Sequence, residues 1–269
     1  PRRRSRGTAA DRNMVILKVR IPVVLLFFIT HVIATFVIMQ RTDFEFVSSK
    51  VNPMIGWGVE DLRKMGALCS NCLQREAQVW RIFTSPLIHS GLIQQIVNSA
   101  GYLMLGWKLE QVYSSFRLLP IYVLSCVIST MVVGTFVSIT QGQVIVGASG
   151  VFFGLLGAVF ADTCAHWNEL PMFLPSTKLN ICLVTIAQLF MGVMPFMDNL
   201  LNLSAFIGGF LAGIVMLIPP PPTTHHDPWP EIQMAASVLI IVCIITGIVL
   251  LLMSPVNTKM SGHIQSCFE

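Results

Sequence analysis

Residues 146–157 read VGASGVFFGLLG, a stretch that places one hydroxyl group, on Ser149, among four glycines. The glycines stand at positions 147, 150, 154 and 157, and this spacing of three or four predicts one face of a helix. Small residues on a helix face let neighbouring helices approach closely inside a membrane. Ser149 on such a face is either a packing residue or a nucleophile, and the rest of the chain must decide between the two.

The composition indicates a membrane protein. Of the 269 residues, 54% are hydrophobic and only 11% are charged, against roughly 25% charged in soluble domains. The mean hydropathy is +0.72. Several nearly uncharged stretches reach the ~18–20 residues that a helix needs to cross a bilayer. We therefore predict an all-α polytopic membrane protein.

Hydropathy and charge divide the chain into five regions. A basic segment, 1–20, precedes a membrane core at 21–218 that contains a polar outer loop at 41–84. A proline-rich linker at 219–231, a further membrane helix at 232–253 and a tail at 254–269 follow. The positive-inside rule places the basic N-terminus in the cytosol. This favours a membrane anchor over a nucleic-acid-binding arm or a cleaved signal peptide.

Seven membrane segments are predicted, at about 21–40, 86–107, 118–138, 145–162, 179–196, 200–218 and 232–253. Their alternation brings the start of the fourth and the start of the sixth to the same depth, so these two segments can share a site. The second segment carries the polar residues His89, Gln94, Gln95 and Asn98. Polar groups inside a membrane are costly, which favours an inward-facing, functional position for them.

Five stretches together resemble the rhomboid family of intramembrane serine proteases. In chain order they are Trp80-Arg81, His89-Ser90-Gly91-Leu92 with Asn98, the predicted turn Gly106–Glu110, Gly147-Ala148-Ser149-Gly150 with Gly154, and Phe206–Gly213. The resemblance covers about residues 80–218 and implies a rhomboid core of six helices, to which the C-terminal seventh helix is added.

The resemblance also implies a site. In this family, a histidine on the sixth helix activates a serine at the position of Ser149, because a serine is a poor nucleophile without an adjacent base. The backbone near Gly147 and the side chains of the second helix, here Asn98 and Gln94, would stabilise the oxyanion. Gln94 stands where the family has a second histidine, so this side of the site is altered.

The base itself is missing. None of the six histidines lies in the sixth segment. Alignment on residues 198–199 puts Asn202 at the base position, whereas alignment on residues 207–209 puts Phe206 there. Asn202 is favoured because it leaves the usual length of helix before the prolines at 219–222, but neither side chain is a base near neutral pH. His166 does not replace it, because topology places that residue at the cytosolic end.

These departures predict a pseudoprotease that binds or retains transmembrane client proteins, as inactive rhomboid relatives do in the secretory pathway. The alternative is an active intramembrane serine endopeptidase that uses Ser149 with a non-standard base. A transporter is disfavoured, because matching halves with broken helices are absent from the sequence. The expected partners are single-span transmembrane proteins, as clients or substrates, and the lipid bilayer, but not nucleic acid. The expected location is the endoplasmic reticulum, Golgi or plasma membrane.

No cofactor and no metal are expected. Cys69 and Cys72 form a Cys-x-x-Cys pair in the outer loop. One such pair supplies only two metal ligands, so a disulfide in an oxidising compartment is favoured over a redox or metal site. His225, His226 and Asp227 lie in the proline-rich linker and are interpreted as solvated linker residues rather than ligands.

Overall fold

The computed structural model describes residues 22–69, 72–73, 76–140, 144–165, 175–218 and 228–253. In chain order the elements are α1 (Val23–Arg41), α2 (Val59–Lys64), β1 (Leu68–Cys69), α3 (Arg81–Thr84), a 3₁₀ turn (Ser85–Leu87), α4 (Leu92–Val112), α5 (Ser115–Thr140), β2 (Val144–Ile145), α6 (Ser149–Ala165), α7 (Pro175–Met191), α8 (Asn199–Met216) and α9 (Trp229–Met253). The seven long helices α1 and α4 to α9 form an all-α membrane protein.

Four of the described helices are long and apolar enough to cross a membrane by length and composition alone. They are α1, α5, α8 and α9. The helix α4 is also long, but it carries Gln94, Gln95 and Asn98, which lower its hydropathy. All three side chains are buried against other parts of the protein. A polar helix face that is covered in this way is compatible with a position inside the bilayer.

The helix α6 packs most extensively against α8, with α5 covering both. Gly209 on α8 lies directly against the backbone of Gly154 on α6, so that a Cβ at Gly209 would overlap the Gly154 carbonyl. The predicted glycine face is confirmed for Gly150, Gly154 and Gly157, which contact α5 or α8. It is wrong for Gly147, because α6 begins two residues later, at Ser149.

Several predicted boundaries differ from the structure. The second membrane helix begins at Leu92 rather than at 86, because residues 85–87 form the 3₁₀ turn and Ile88 is extended. It continues to Val112, so residues 106–110 lie inside α4 and not in a turn. The fifth predicted membrane segment corresponds to α7, which begins at Pro175 rather than at about 179. Proline is well suited to the first turn of a helix. The last begins at Trp229, inside the predicted linker. The remainder of that linker, 219–227, lies outside the described residues.

The predicted outer loop is folded onto the end of the bundle where α6 and α8 begin, hereafter the Ser149 end. Arg81 is buried, and its Nη1 donates to the carbonyls of Arg63 and Ala67, each at 2.7 Å. Cys69 and Cys72 form a disulfide, as the favoured interpretation of the pair predicted. These contacts hold the loop together, and the pairing of residues 68–69 with residues 144–145 joins it to the bundle as a cap.

Candidate functional site

The chain that leads into Ser149 is held on three sides. Residues 144–145 pair as β2 with β1 in the cap, in the register Leu68 with Ile145 and Cys69 with Val144. The N–H of Val146 donates to the Phe196 carbonyl at 3.0 Å. The N–H of the next residue, Gly147, donates to the Ser85 carbonyl at 2.8 Å. The start of α6 is therefore fixed by the cap, by the turn before α8 and by the turn before α4.

Ser149 meets Asn202 across the α6–α8 interface. The Ser149 hydroxyl donates to Oδ1 of Asn202 at 2.7 Å, and both side chains are buried. Asp198 determines this alignment, because its carboxylate accepts from the Leu200 N–H at 2.7 Å and so caps the start of α8. Asn202 lies one turn into that helix and faces α6.

Phe206 lies one turn farther along α8, away from Ser149. Its ring centroid is 5.9 Å from that of Phe160, near the other end of α6. Its carbonyl lies against Gly157. Of the two positions that the sequence offered for the missing histidine, the structure brings Asn202 to the serine and leaves Phe206 about one helical turn farther along α8.

The hydrogen bonds continue from Asn202 to α7. Asn202 Nδ2 donates to Oδ1 of Asn199 at 3.1 Å. Asn199 Nδ2 in turn donates to the Leu189 carbonyl at 3.1 Å. Ser149, Asn202 and Asn199 thus form a relay that links α6, α8 and the end of α7. Ser149 donates a hydrogen bond to a carboxamide oxygen, and an amide does not remove a proton near neutral pH. The serine is therefore a hydrogen-bond partner in this relay and not an activated nucleophile.

The relay lies beside a second interhelical hydrogen bond, in which Gln188 Nε2 of α7 donates to Oδ1 of Asn98 on α4. The neighbours of Gly101 on α4 indicate that Asn98 and Gln188 lie at the depth of Ser149. A Cβ at Gly101 would lie 2.7 Å from Phe152 of α6 and 3.0 Å from Val184 of α7. Asn98, Ser149 and Gln188 each lie about one helical turn from these contacts, in the direction of the Ser149 end. Asn98 is one turn from Gly101, Ser149 is one turn from Phe152 and Gln188 is one turn from Val184. The Gln188–Asn98 pair and the Ser149–Asn202 pair therefore lie at about the same depth in the bundle.

The predicted oxyanion residues differ in whether their N–H donors already have a hydrogen-bond partner. Gln94 accepts from the Ser90 N–H at 2.6 Å, but its Nε2 is buried without a hydrogen-bond partner. The Nδ2 of Asn98 is likewise buried and unpartnered. The Gly147 N–H is already bonded to Ser85. Of these three predicted oxyanion groups, the two side-chain amides, and not the Gly147 N–H, therefore have a donor without a partner.

The two histidines within the described residues do not contact Ser149. The rings of His31 and His89 lie against each other, with centroids 5.2 Å apart. His31 also bonds to the carbonyls of Phe27 and Pro86, at 2.7 and 3.0 Å. The other histidines of the chain, at 166, 225, 226 and 263, lie outside the described residues, as does Asp227. Within the described ranges no group of three or more His, Cys, Asp or Glu side chains is arranged to hold a metal ion.

Asn199 and Gln188 are site residues that the sequence reasoning did not single out. Asn199 stands three residues before Asn202, a spacing that places both on one helix face. Gln188 is a single amide in the apolar stretch Leu183–Met191. A polar residue in such a stretch is itself a signal of an inward-facing position. Both signals were present, but neither indicates which helix the side chain contacts.

Comparison with known proteins places this site in a family. A family model described as the Rhomboid domain matches residues 76–219, more than half of the chain. RHOMBOID-like proteins 1 and 7 of Arabidopsis thaliana are each 32% identical to it over 175 residues, which is 65% of this chain and 44% and 55% of those proteins. Inactive RHOMBOID-like protein 8 of the same plant is 31% identical over 164 residues, 61% of this chain and 46% of that protein.

The chain spans about half the length of these curated relatives. The match nevertheless covers the helices that carry every candidate site residue, from Gln94 and Asn98 on α4 to Asn202 on α8. With its bundle of membrane helices and Ser149 at the start of α6, this chain belongs to the rhomboid family.

Proposed function

We propose that this rhomboid does not cleave peptide bonds and instead binds transmembrane client proteins at the Ser149 end of its bundle. The observation that carries the first half is the hydrogen bond from Ser149 to Asn202. A serine needs an adjacent base to become a nucleophile. Without one, the roughly 10²–10⁴-fold that general base catalysis contributes is lost.

The second half rests on the donors that the site leaves without partners. Gln94 Nε2 and Asn98 Nδ2 are buried on α4 and make no hydrogen bond, and Asn98 lies at about the depth of Ser149. An unmet donor in a low-dielectric interior costs about 1–3 kcal/mol. A peptide carbonyl from a client helix that is locally interrupted would satisfy one of them. The bundle thus offers a binding group that fits a peptide, without the group that would activate water or serine.

The same proposal includes an orientation and a compartment. The Cys69–Cys72 disulfide lies in the cap over the Ser149 end. Disulfides persist in oxidising compartments such as the lumen of the endoplasmic reticulum or the cell exterior. The basic residues before α1 favour a cytosolic N-terminus. Together these features support a protein of the secretory pathway or plasma membrane whose Ser149 end faces away from the cytosol.

A binding experiment with a single-span peptide tests the client-binding half. The probe is a dye-labelled leucine helix of ~20 residues, interrupted near one end by Gly-Gly so that peptide carbonyls are exposed. We expect the protein in lipid vesicles to bind this probe more tightly than an uninterrupted leucine helix, as measured by energy transfer. The variant Ser149→Ala should bind within about twofold of the wild type, because the hydroxyl is already engaged by Asn202 rather than by the client.

Equal affinity for the two peptides, or no binding of either, would contradict client binding through exposed peptide groups. A loss of binding in Ser149→Ala, with the thermal stability unchanged, would instead indicate that the serine contacts the client.

A further inference from the structure

Gln188 is an unusual residue for its helix. Its neighbours on α7, among them Leu183, Ile186 and Phe190, are apolar and exposed on the outside of the bundle, as expected for a helix in lipid. Gln188 points the other way and is 1% exposed. Burial of a carboxamide is costly unless it is hydrogen-bonded, and the partner that Gln188 finds is Asn98.

The chemistry of this contact is that of a peptide group. A glutamine side chain ends in a carbonyl and an N–H on one planar carbon, the same groups that a peptide bond presents. Here the Nε2 donates to the Asn98 carbonyl oxygen. The contact uses the acceptor of Asn98 and holds α7 against α4 directly beside its unpartnered Nδ2.

Hydrogen bonds of Gln188 and Leu189 hold this end of α7 against its neighbours. Gln188 Nε2 donates to Asn98 Oδ1, and the Leu189 carbonyl accepts from Asn199 Nδ2 at 3.1 Å. Asn98 Oδ1 is the atom to which a peptide N–H would donate if a client engaged this side chain with both groups of one peptide bond. Gln188 therefore occupies the acceptor of Asn98, while the donor, Nδ2, has no partner.

We propose that Gln188 is a built-in competitor, whose side-chain amide occupies the Oδ1 acceptor of Asn98 and is displaced by a client that brings both the carbonyl and the N–H of a peptide group. The inference rests on the proposed client-binding function and assigns it a residue that limits affinity. Clients with an exposed peptide group displace Gln188, because they offer both a carbonyl and an N–H to Asn98. Helices with no free peptide group leave the Gln188–Asn98 bond intact.

The variant Gln188→Leu tests this in the vesicle assay with the Gly-Gly peptide. Removal of the competitor is expected to raise affinity about threefold, and at most about fifteenfold, the range that single interhelical hydrogen bonds support in membranes. In an Asn98→Leu background, which lowers binding by itself, the further change Gln188→Leu is expected to have no effect, because there is then no Asn98 to release.

Gln95→Leu is the matched control. Gln95 is also a buried amide that joins two helices, since its Oε1 accepts from Thr35 of α1 at 2.7 Å. Its replacement breaks an interhelical hydrogen bond of the same kind on another face of α4. We expect it to lower thermal stability as Gln188→Leu does, but to leave affinity for the peptide unchanged.

The outcomes separate the two proposals. If the wild type binds the Gly-Gly peptide and Gln188→Leu binds it with equal or lower affinity, the competitor role of Gln188 is overturned while client binding stands. An affinity gain that persists in the Asn98→Leu background, or that Gln95→Leu reproduces, would also overturn it, because general loosening of the bundle would then be the cause. Failure of both the wild type and Gln188→Leu to bind would overturn client binding, and the competitor with it.

Discussion

The variant Asn202→His is expected to cleave a transmembrane substrate at least about 100-fold faster than the wild type, the lower end of what general base catalysis contributes. Oδ1 of Asn202 already accepts a hydrogen bond from the Ser149 hydroxyl at 2.7 Å. An imidazole on the same helix face takes the place of that acceptor with a group that can hold the proton. The α6–α8 packing that positions the pair involves other residues, chiefly glycines, and is left intact. Cleavage is measured on a single-span substrate in proteoliposomes.

Two controls make this result specific. Ser149→Ala in the Asn202→His background should remove all of the gained activity. Phe206→His should gain none, because residue 206 contacts Phe160 and not the serine. Activity in Phe206→His, or an inert Asn202→His with unchanged thermal stability, would contradict the assignment of residue 202 as the position of the missing base.

The variant Gly209→Ala is expected to cause the largest loss of stability. Its added methyl group would overlap the backbone carbonyl of Gly154, which cannot rotate away as a side chain can. Overpacking of a well-packed core costs typically about 1–3 kcal/mol and occasionally more. We expect a loss of at least about 3 kcal/mol here, because the displaced group is backbone in the most extensive helix pair. The readout is the unfolding temperature in detergent.

Gly208→Ala is the neighbouring control. A Cβ there would lie 3.3 Å from the Ile128 side chain, which can shift by a few tenths of an ångström. A loss below about 1.5 kcal/mol is therefore expected. Equal losses at the two positions would contradict the close contact of Gly209 with the Gly154 backbone.

The fold class followed from the sequence because hydropathy and glycine spacing depend on the chain alone. Helix ends did not follow as well. The start of α6 at Ser149 depends on the pairing of residues 144–145 with the cap, and this pairing joins segments that are distant in the sequence. Similarly, the second membrane helix is shorter than predicted because residues 85–87 form a 3₁₀ turn. The Ser85 carbonyl in this turn accepts from the Gly147 N–H, a contact between distant segments that no local sequence pattern reveals.

The choice between Asn202 and Phe206 was open for a similar reason. Both alignments are consistent with a helix, and they differ by four residues, about one turn, so both positions lie on nearly the same face. Only the depth at which α8 contacts α6 separates them. That depth is determined by the Asp198 cap and by the glycine contacts. The contact of Gln188 with Asn98 could not be predicted from the sequence either, because an amide in an apolar stretch indicates burial but does not indicate which residue it contacts.

The reactivity of Ser149 in the unmodified protein tests most directly whether this rhomboid is inactive. The wild type is treated with a fluorophosphonate probe and, separately, incubated in proteoliposomes with a single-span substrate, with Asn202→His and Ser149→Ala measured alongside. We expect the wild type to be neither labelled nor active beyond Ser149→Ala, because its hydroxyl is paired with an amide. Labelling at Ser149 together with Ser149-dependent cleavage by the wild type would contradict the proposal that this protein does not cleave peptide bonds.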